Sequence, residues 1–247
     1  MLKLNQIRML RILNIFFFIG MVVMNYLANA VPLNDKTTGE LSNSFPNLFV
    51  PAGITFSIWG VIYLMLLLFC IVQFFGSNQS ALNQISWFFI VSCVFNALWI
   101  VCWHYGKLPL SFLMMTGLLA TLIYINIRLS GYPNGLIKAA FGIYLGWICI
   151  ATIANTTAWL VSLDWNGFGI SHEIWTMIMI TAGTVISVLA IVKFNNPFIG
   201  LPVIWAFAGI MIKRQDDYRS IVICAAIAAV VIGFFVTKSF ILAKNQT

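Results

Sequence analysis

Carboxylates are scarce in this 247-residue chain, which has six: Asp35, Glu40, Asp164, Glu173, Asp216 and Asp217. All lie in connections or at segment ends, and no long apolar run carries an acidic side chain in its interior. A proton- or sodium-coupled transporter ordinarily needs an ionisable group near the bilayer midplane, so that class is disfavoured. No carboxylate pair, serine–histidine couple or phosphate loop is evident, which removes the usual supports of hydrolytic and phosphoryl-transfer chemistry. The five cysteines, Cys70, Cys93, Cys102, Cys149 and Cys224, stand singly inside apolar runs. They read as free thiols packed as small hydrophobes, not as a disulfide framework or zinc site. His104, Asp164, His172 and Glu173 follow no metal-ligand spacing, and His172-Glu173 lacks the second histidine of H-E-x-x-H. These four are expected as solvated helix ends. The 13 Lys and Arg residues form no stripe interleaved with aromatics, so a nucleic-acid partner is not expected.

What remains is apolar. Hydrophobic residues make up 62% of the chain and charged residues 8%, a balance that specifies an all-α polytopic membrane protein. Eight segments are predicted, at roughly 12–31, 53–75, 85–104, 109–128, 137–162, 173–193, 197–212 and 220–241. The seventh is short and contains Pro202, so a tilted, kinked or re-entrant segment is expected there. The first ends at Ala28-Asn29-Ala30, which looks like a signal-peptidase site, but its apolar run is of membrane length and an uncleaved helix is expected. Loop 32–52, PLNDKTTGELSNSFPNLFVPA, is long and polar enough to be functional or disordered. Counting Lys and Arg places the N-terminus in the cytoplasm by eight charges to five, with this loop outward as a lid. The KRQDDYR turn opposes that count unless segment seven fails to cross.

Residues 139–162, AAFGIYLGWICIATIANTTAWLVS, are the most informative stretch. Tyr144, Trp147, Ala151 and Asn155 recur at three, four and four, so they share one helical face. An amide at mid-membrane depth costs free energy unless a helix, water or ligand meets it, so this face is expected to turn inward. Two other segments repeat the pattern: Thr55, Trp59 and Tyr63 in the second, and Asn96, Trp99 and Trp103 in the third. Taken singly, each face suits an interfacial belt or helix packing. Taken together, they suggest an aromatic-lined internal pocket for a flat, largely apolar ligand with a few polar groups. Gly142-x-x-x-Gly146 and Ala225-x-x-x-Ala229 permit either close packing within the chain or a homodimer seam. Leu122-x-Tyr124-x-x-x-Arg128 fits the loose cholesterol pattern only weakly.

The same residues resemble a family. YLGWICIATIAN is similar to the Y-L-x-W-x-x-x-A-x-x-x-N motif of the tryptophan-rich sensory proteins, the TspO/MBR or translocator-protein family. NALWIVCW resembles that family's N-x-x-W-S-x-x-F-F, and IWGVIY its V-W-x-x-L-Y, which follows a long first loop with prolines. The resemblance covers roughly residues 10–162 and implies a five-helix unit, 1–162, followed by a C-terminal extension, 163–247, with up to three further membrane helices. Ser57, Ile100 and Ile143 depart from the family pattern, and loop one has no tryptophan.

What the resemblance implies is a tetrapyrrole- or sterol-like ligand site within the bundle, open toward loop one. The positions carried over are Trp59, Tyr63, Asn96, Trp99, Tyr144, Trp147, Ala151 and Asn155, with Trp103 continuing the third face. The tryptophans are expected to stack on the ligand, and Tyr63 and Tyr144 to offer hydroxyls. Asn96 and Asn155 are expected to join helices more than to touch ligand. A receptor, sensor or carrier for a porphyrin- or haem-like molecule in a bacterial-type inner membrane is the leading expectation. Its partners are membrane lipid and the planar molecule, and no cofactor is required. A permease for a small apolar solute and an enzyme degrading the tetrapyrrole are the alternatives.

Overall fold

The structure, a computed structural model, describes residues 4–31 and 33–244; Lys3 and Pro32, used above for orientation and for the lid, lie outside it. Ten α-helices are present and no strand occurs among the described residues. They are α1 (Leu4–Asn29), α2 (Thr38–Asn43), α3 (Ile58–Val72), α4 (Gln79–Ile85) and α5 (Phe88–His104), then α6 (Leu108–Arg128), α7 (Leu136–Ser162), α8 (His172–Lys193), α9 (Gly200–Arg214) and α10 (Arg219–Lys244). Among the described residues, seven helical stretches are long and apolar enough to cross a membrane. An eighth crossing is obtained when α4 and α5, bent by 59°, are taken as one span. This is a polytopic helical membrane protein.

Local chemistry explains most boundaries. The third predicted segment, 85–104, is broken near its start because Ser86 sits at φ 50°, so α5 begins only at Phe88. The second begins with a 3-10 turn, Gly53–Ser57, before α3. Pro109 and Pro202 both fall in the first turn of their helices, where the missing N–H has no intrahelical partner to lose. Pro202 therefore starts α9 instead of kinking it. Asn196, just before α9, donates to Asn126 and to the Lys138 carbonyl at one end of the bundle. Arg214, its last residue, donates to the Asn47 and Leu48 carbonyls in the lid. Segment seven thus runs from one end of the bundle to the other, and the KRQDDYR turn shares a face with loop 32–52.

The helix that carried most information in the sequence is also the central one. Of the most apolar window of α7, 72% is buried, against 28–50% for the other spans. It packs on α3, α6, α8 and α9. Lipid supplies little hydrophobic driving force between helices, so packing and interhelical hydrogen bonds hold such a bundle together. Among the described glycines, Gly146 makes the closest approach to backbone: a Cβ there would lie 2.0 Å from the Ile199 carbonyl oxygen. The Gly142/Gly146 pair therefore serves intramolecular contact with the start of α9. Asparagines supply the bonds. Asn14 of α1 donates to Gln73 after α3 (2.9 Å), and Asn25 of α1 to Asn96 of α5 (2.7 Å). Helix α1 is thereby built into the bundle well short of Ala30. On the N-terminal half of the bundle, Phe69, Phe89 and Phe141 meet edge-on at 5.0–5.9 Å.

Candidate functional site

The three aromatic faces meet beneath the lid. Trp59 of α3 stacks on Tyr63 one turn along (5.6 Å, 20°) and on Trp99 of α5 (5.8 Å, 26°). Trp99 continues the column to Trp103 (6.4 Å, 27°). Trp147 of α7 meets Trp59 edge-on at 6.1 Å, and Phe56 meets Trp147 at 6.2 Å. Offset and edge-on rings at these distances are favourable arrangements. Helical spacing explains the convergence: positions three or four apart form a stripe on each helix, and each stripe faces the same interior.

A cavity of about 50 Å³ lies among these rings. Its walls are Trp59, Trp99, Trp103, Trp147, Ile150, Ala151, Ala154 and Asn155, and its roof is Thr38, Ser42, Pro51 and Phe56. The helical stripes predict all of those wall residues except Ile150 and Ala154, and they predict no individual roof residue. Pockets that enclose drug-sized ligands run to about 300–1,000 Å³, so a tetrapyrrole does not fit between the rings as they stand. The space accommodates only a few water-sized groups, and a larger plane requires Phe56 and the roof to move.

Polar atoms around this cavity are short of partners. The indole nitrogens of Trp99, Trp103 and Trp147 and the Oδ1 of Asn155 are buried with no protein partner among the described residues. Each of these residues is at most 5% exposed. A buried unpaired group costs about 1–3 kcal/mol, so three donors and one acceptor favour a guest carrying acceptor oxygens. Asn155 spends its amide on Ser111 Oγ of α6 (2.9 Å).

Tyr63, Asn96 and Tyr144 stand apart from the cavity. Asn96 accepts from Asn25 and donates to the Tyr144 hydroxyl (2.9 Å), tying α1, α5 and α7 together. That hydroxyl is thus engaged within the bundle. The Tyr63 hydroxyl is buried with no hydrogen-bond partner among the described residues. Thr55, which shares a face with Trp59, turns toward α9: a Cβ at Gly209 would sit 1.9 Å from its Oγ1.

The lid is held at both ends. At α5, His104 is buried, not solvated as its place at a helix end suggested. Its ring contacts Thr38 Oγ1 (3.1 Å) and the Leu33 carbonyl (3.0 Å). At α9, Lys213 donates to Asn43 Oδ1 (2.7 Å), Trp205 Nε1 to the Thr55 carbonyl (2.9 Å), and the Gly209 carbonyl accepts from Ala52. Between these anchors, Thr37 and Glu40 form a reciprocal cap on α2. The Glu40 carboxyl lies below its usual value, chiefly through the Thr37 backbone N–H and then its hydroxyl. The cap is therefore complete above the ordinary glutamate range and lost as pH falls through the lowered value. Among the described residues no cluster of three metal-ligating side chains occurs.

His104→Ala is expected to release the start of the lid while leaving the bundle folded. Losing two hydrogen bonds to buried partners should speed amide exchange over residues 33–38 about tenfold or more, measured by exchange mass spectrometry.

The signal for the α9 anchors was weak. Lys213 and Arg214 looked like topology charges, and nothing in their spacing links them to a loop some 165 positions earlier in the chain.

No curated protein and no solved structure matches the chain. The family model described as TSPO-like protein matches residues 11–238, thus running through residue 162 and across α8 and α9 into α10. With that match over most of its length, this membrane protein belongs to the TSPO-like protein family.

Proposed function

We propose that the protein is a membrane receptor, sensor or carrier that binds a planar, largely apolar ligand with acceptor oxygens, of porphyrin type, in the aromatic site beneath the lid. The observation that carries this is the combination of a four-ring column, Tyr63–Trp59–Trp99–Trp103, with three unpaired indole donors around one cavity. Stacking gives such a ligand area without demanding exact shape, and the indole N–H groups supply direction. In its present packing the column fills the space that a large plane would take, so binding is coupled to displacement of Phe56 and the roof segment 38–51. The lid acts as the gate. The chain sits in a bacterial-type inner membrane with its N-terminus in the cytoplasm and the lid outside, following the charge count.

Titration with protoporphyrin tests this. Tryptophan fluorescence of the purified protein is expected to fall saturably, and Trp147→Leu to abolish the saturable component. Quenching that never saturates and is equal in both proteins overturns the reading.

A further inference from the structure

A second cleft, separate from the aromatic column, opens on the same face between α7 and α8. It encloses about 430 Å³ and is walled by Ile153, Leu160 and Val161 of α7 and by Trp175 and Met179 of α8, with Trp165 in the connecting turn. The α7–α8 seam is held here by few polar contacts, one being the Thr157 hydroxyl against Met179 Sδ at 3.2 Å. Trp165 is braced by Phe168 and Trp175 at 5.3 and 5.2 Å, and Trp175 Nε1 donates to the Gly167 carbonyl. The apolar walls are thus fixed in place.

A third cleft of about 490 Å³ adjoins this one, the two sharing Asn47, Leu48 and His172 as lining residues. The third is lined by Lys213 and Arg214. Among the described residues no carboxylate lines either cleft. Glu173 accepts from the Ser220 hydroxyl on α10, Asp216 and Asp217 lie on the exposed turn, and of these only Asp217 interacts electrostatically with Arg214, across solvent that screens it. Lys213 and Arg214 donate to carbonyl and amide oxygens of the lid, neutral acceptors that position the two cations without cancelling their charge. The positive end of α8 begins at His172, one of the residues common to both clefts.

We infer that these adjoining clefts together bind an anionic amphiphile, with its apolar chain between α7 and α8 and its carboxylate or phosphate head against Lys213 and Arg214. An apolar slot of ligand-sized volume beside two fixed cations is complementary to that chemistry and to neither half of it alone. Because the head would meet the side chains that hold the lid, occupancy bears directly on how the lid is anchored. The site shares no wall residue with the aromatic cavity and does not depend on what that cavity binds.

Radiolabelled palmitate binding to the full chain in phosphatidylcholine nanodiscs tests it, with empty nanodiscs subtracted. Saturable binding is expected, displaced by unlabelled palmitate and about tenfold or more less well by its methyl ester, the loss expected for a charge-assisted contact. Leu160→Trp fills the slot and is expected to weaken binding about tenfold with an unchanged melting midpoint. Lys213→Met removes a cation together with its lid contact to Asn43 and is expected to weaken binding about tenfold with only a small drop in the midpoint. Trp147→Leu is expected to bind palmitate as the wild type does, which separates this site from the porphyrin reading. Competition by phosphatidylglycerol added to the nanodisc identifies membrane lipid as the source of the ligand, and lack of competition identifies a free fatty acid. Equal displacement by acid and ester, or wild-type affinity in both variants, overturns the inference.

Discussion

Gly146→Ala is expected to destabilise the protein strongly, because the added methyl group meets backbone. The new carbon would fall 2.0 Å from the Ile199 backbone oxygen and 2.8 Å from Pro202 Cγ. Neither atom belongs to a flexible side-chain tip, so the clash cannot be relieved by a rotamer change. Helix α7 and the start of α9 must separate, and the contacts around that seam go with them. Overpacking typically costs about 1–3 kcal/mol and sometimes more, and this backbone contact belongs at the upper end, at about 3 kcal/mol. In a chain of this length such a loss lowers the melting midpoint by about 6–12 °C. Gly60→Ala is the control. Nothing lies within 4 Å of its added carbon, so α3 gains up to about 1 kcal/mol of helix propensity. Equal melting of the two variants would show that the α7–α9 contact does not carry the bundle.

The consequence reaches function through α9. That helix ends at Arg214, which holds Asn47 and Leu48 of the lid, and its Trp205 and Gly209 hold Thr55 and Ala52. Displacing the start of α9 tilts the support of the roof over the aromatic cavity. The residues after 162 and the aromatic helices before it are thus mechanically joined, with a tight backbone contact at one end of α9 and the lid at the other. Stability at Gly146 and gating at the lid are expected to change together.

These relations explain what could be read from the sequence. Trp59, Trp99, Trp103, Trp147, Ala151 and Asn155 were legible because helical spacing alone puts them on stripes, and an amide in an apolar stripe has to face inward. Loop 32–52 was legible as a lid, but the residues that form the roof were not. Thr38, Ser42 and Pro51 belong to a loop whose path is set by distant anchors, Phe56 to the turn that follows it, and His104 reads as an ordinary helix end until Thr38 and Leu33 are placed against it. The small size of the cavity was equally hidden. Periodicity shows that rings share an interior but not that they stack on one another and fill it. The buried asparagines stood in plain view: Asn14, Asn25 and Asn126 interrupt apolar runs, and each bonds a neighbouring element. What the sequence withheld was their pairing.

Asn96 and Asn155 separate framework from ligand contact. Asn96 is fully buried, accepts from Asn25 and donates to Tyr144. Replacing it with leucine removes both bonds at once and leaves two polar partners in an apolar interior. Each stranded group costs about 1–3 kcal/mol, although bonds in membranes average nearer 0.6 kcal/mol because unfolded helices also find partners. The sum expected for Asn96→Leu is about 2–3 kcal/mol, read as reduced resistance to denaturing detergent. Protoporphyrin affinity of the protein that remains folded should be unchanged, since Asn96 does not line the cavity. Asn155→Ala is expected to invert this pattern. It gives up one bond, to Ser111, for about 1 kcal/mol, but it also deletes the cavity's unpaired acceptor and one of its walls. Affinity should then change severalfold with only a small loss of stability. A fall in affinity for Asn96→Leu alone would place the ligand deeper, between α1, α5 and α7, and displace the binding site from the ring column to the amide network.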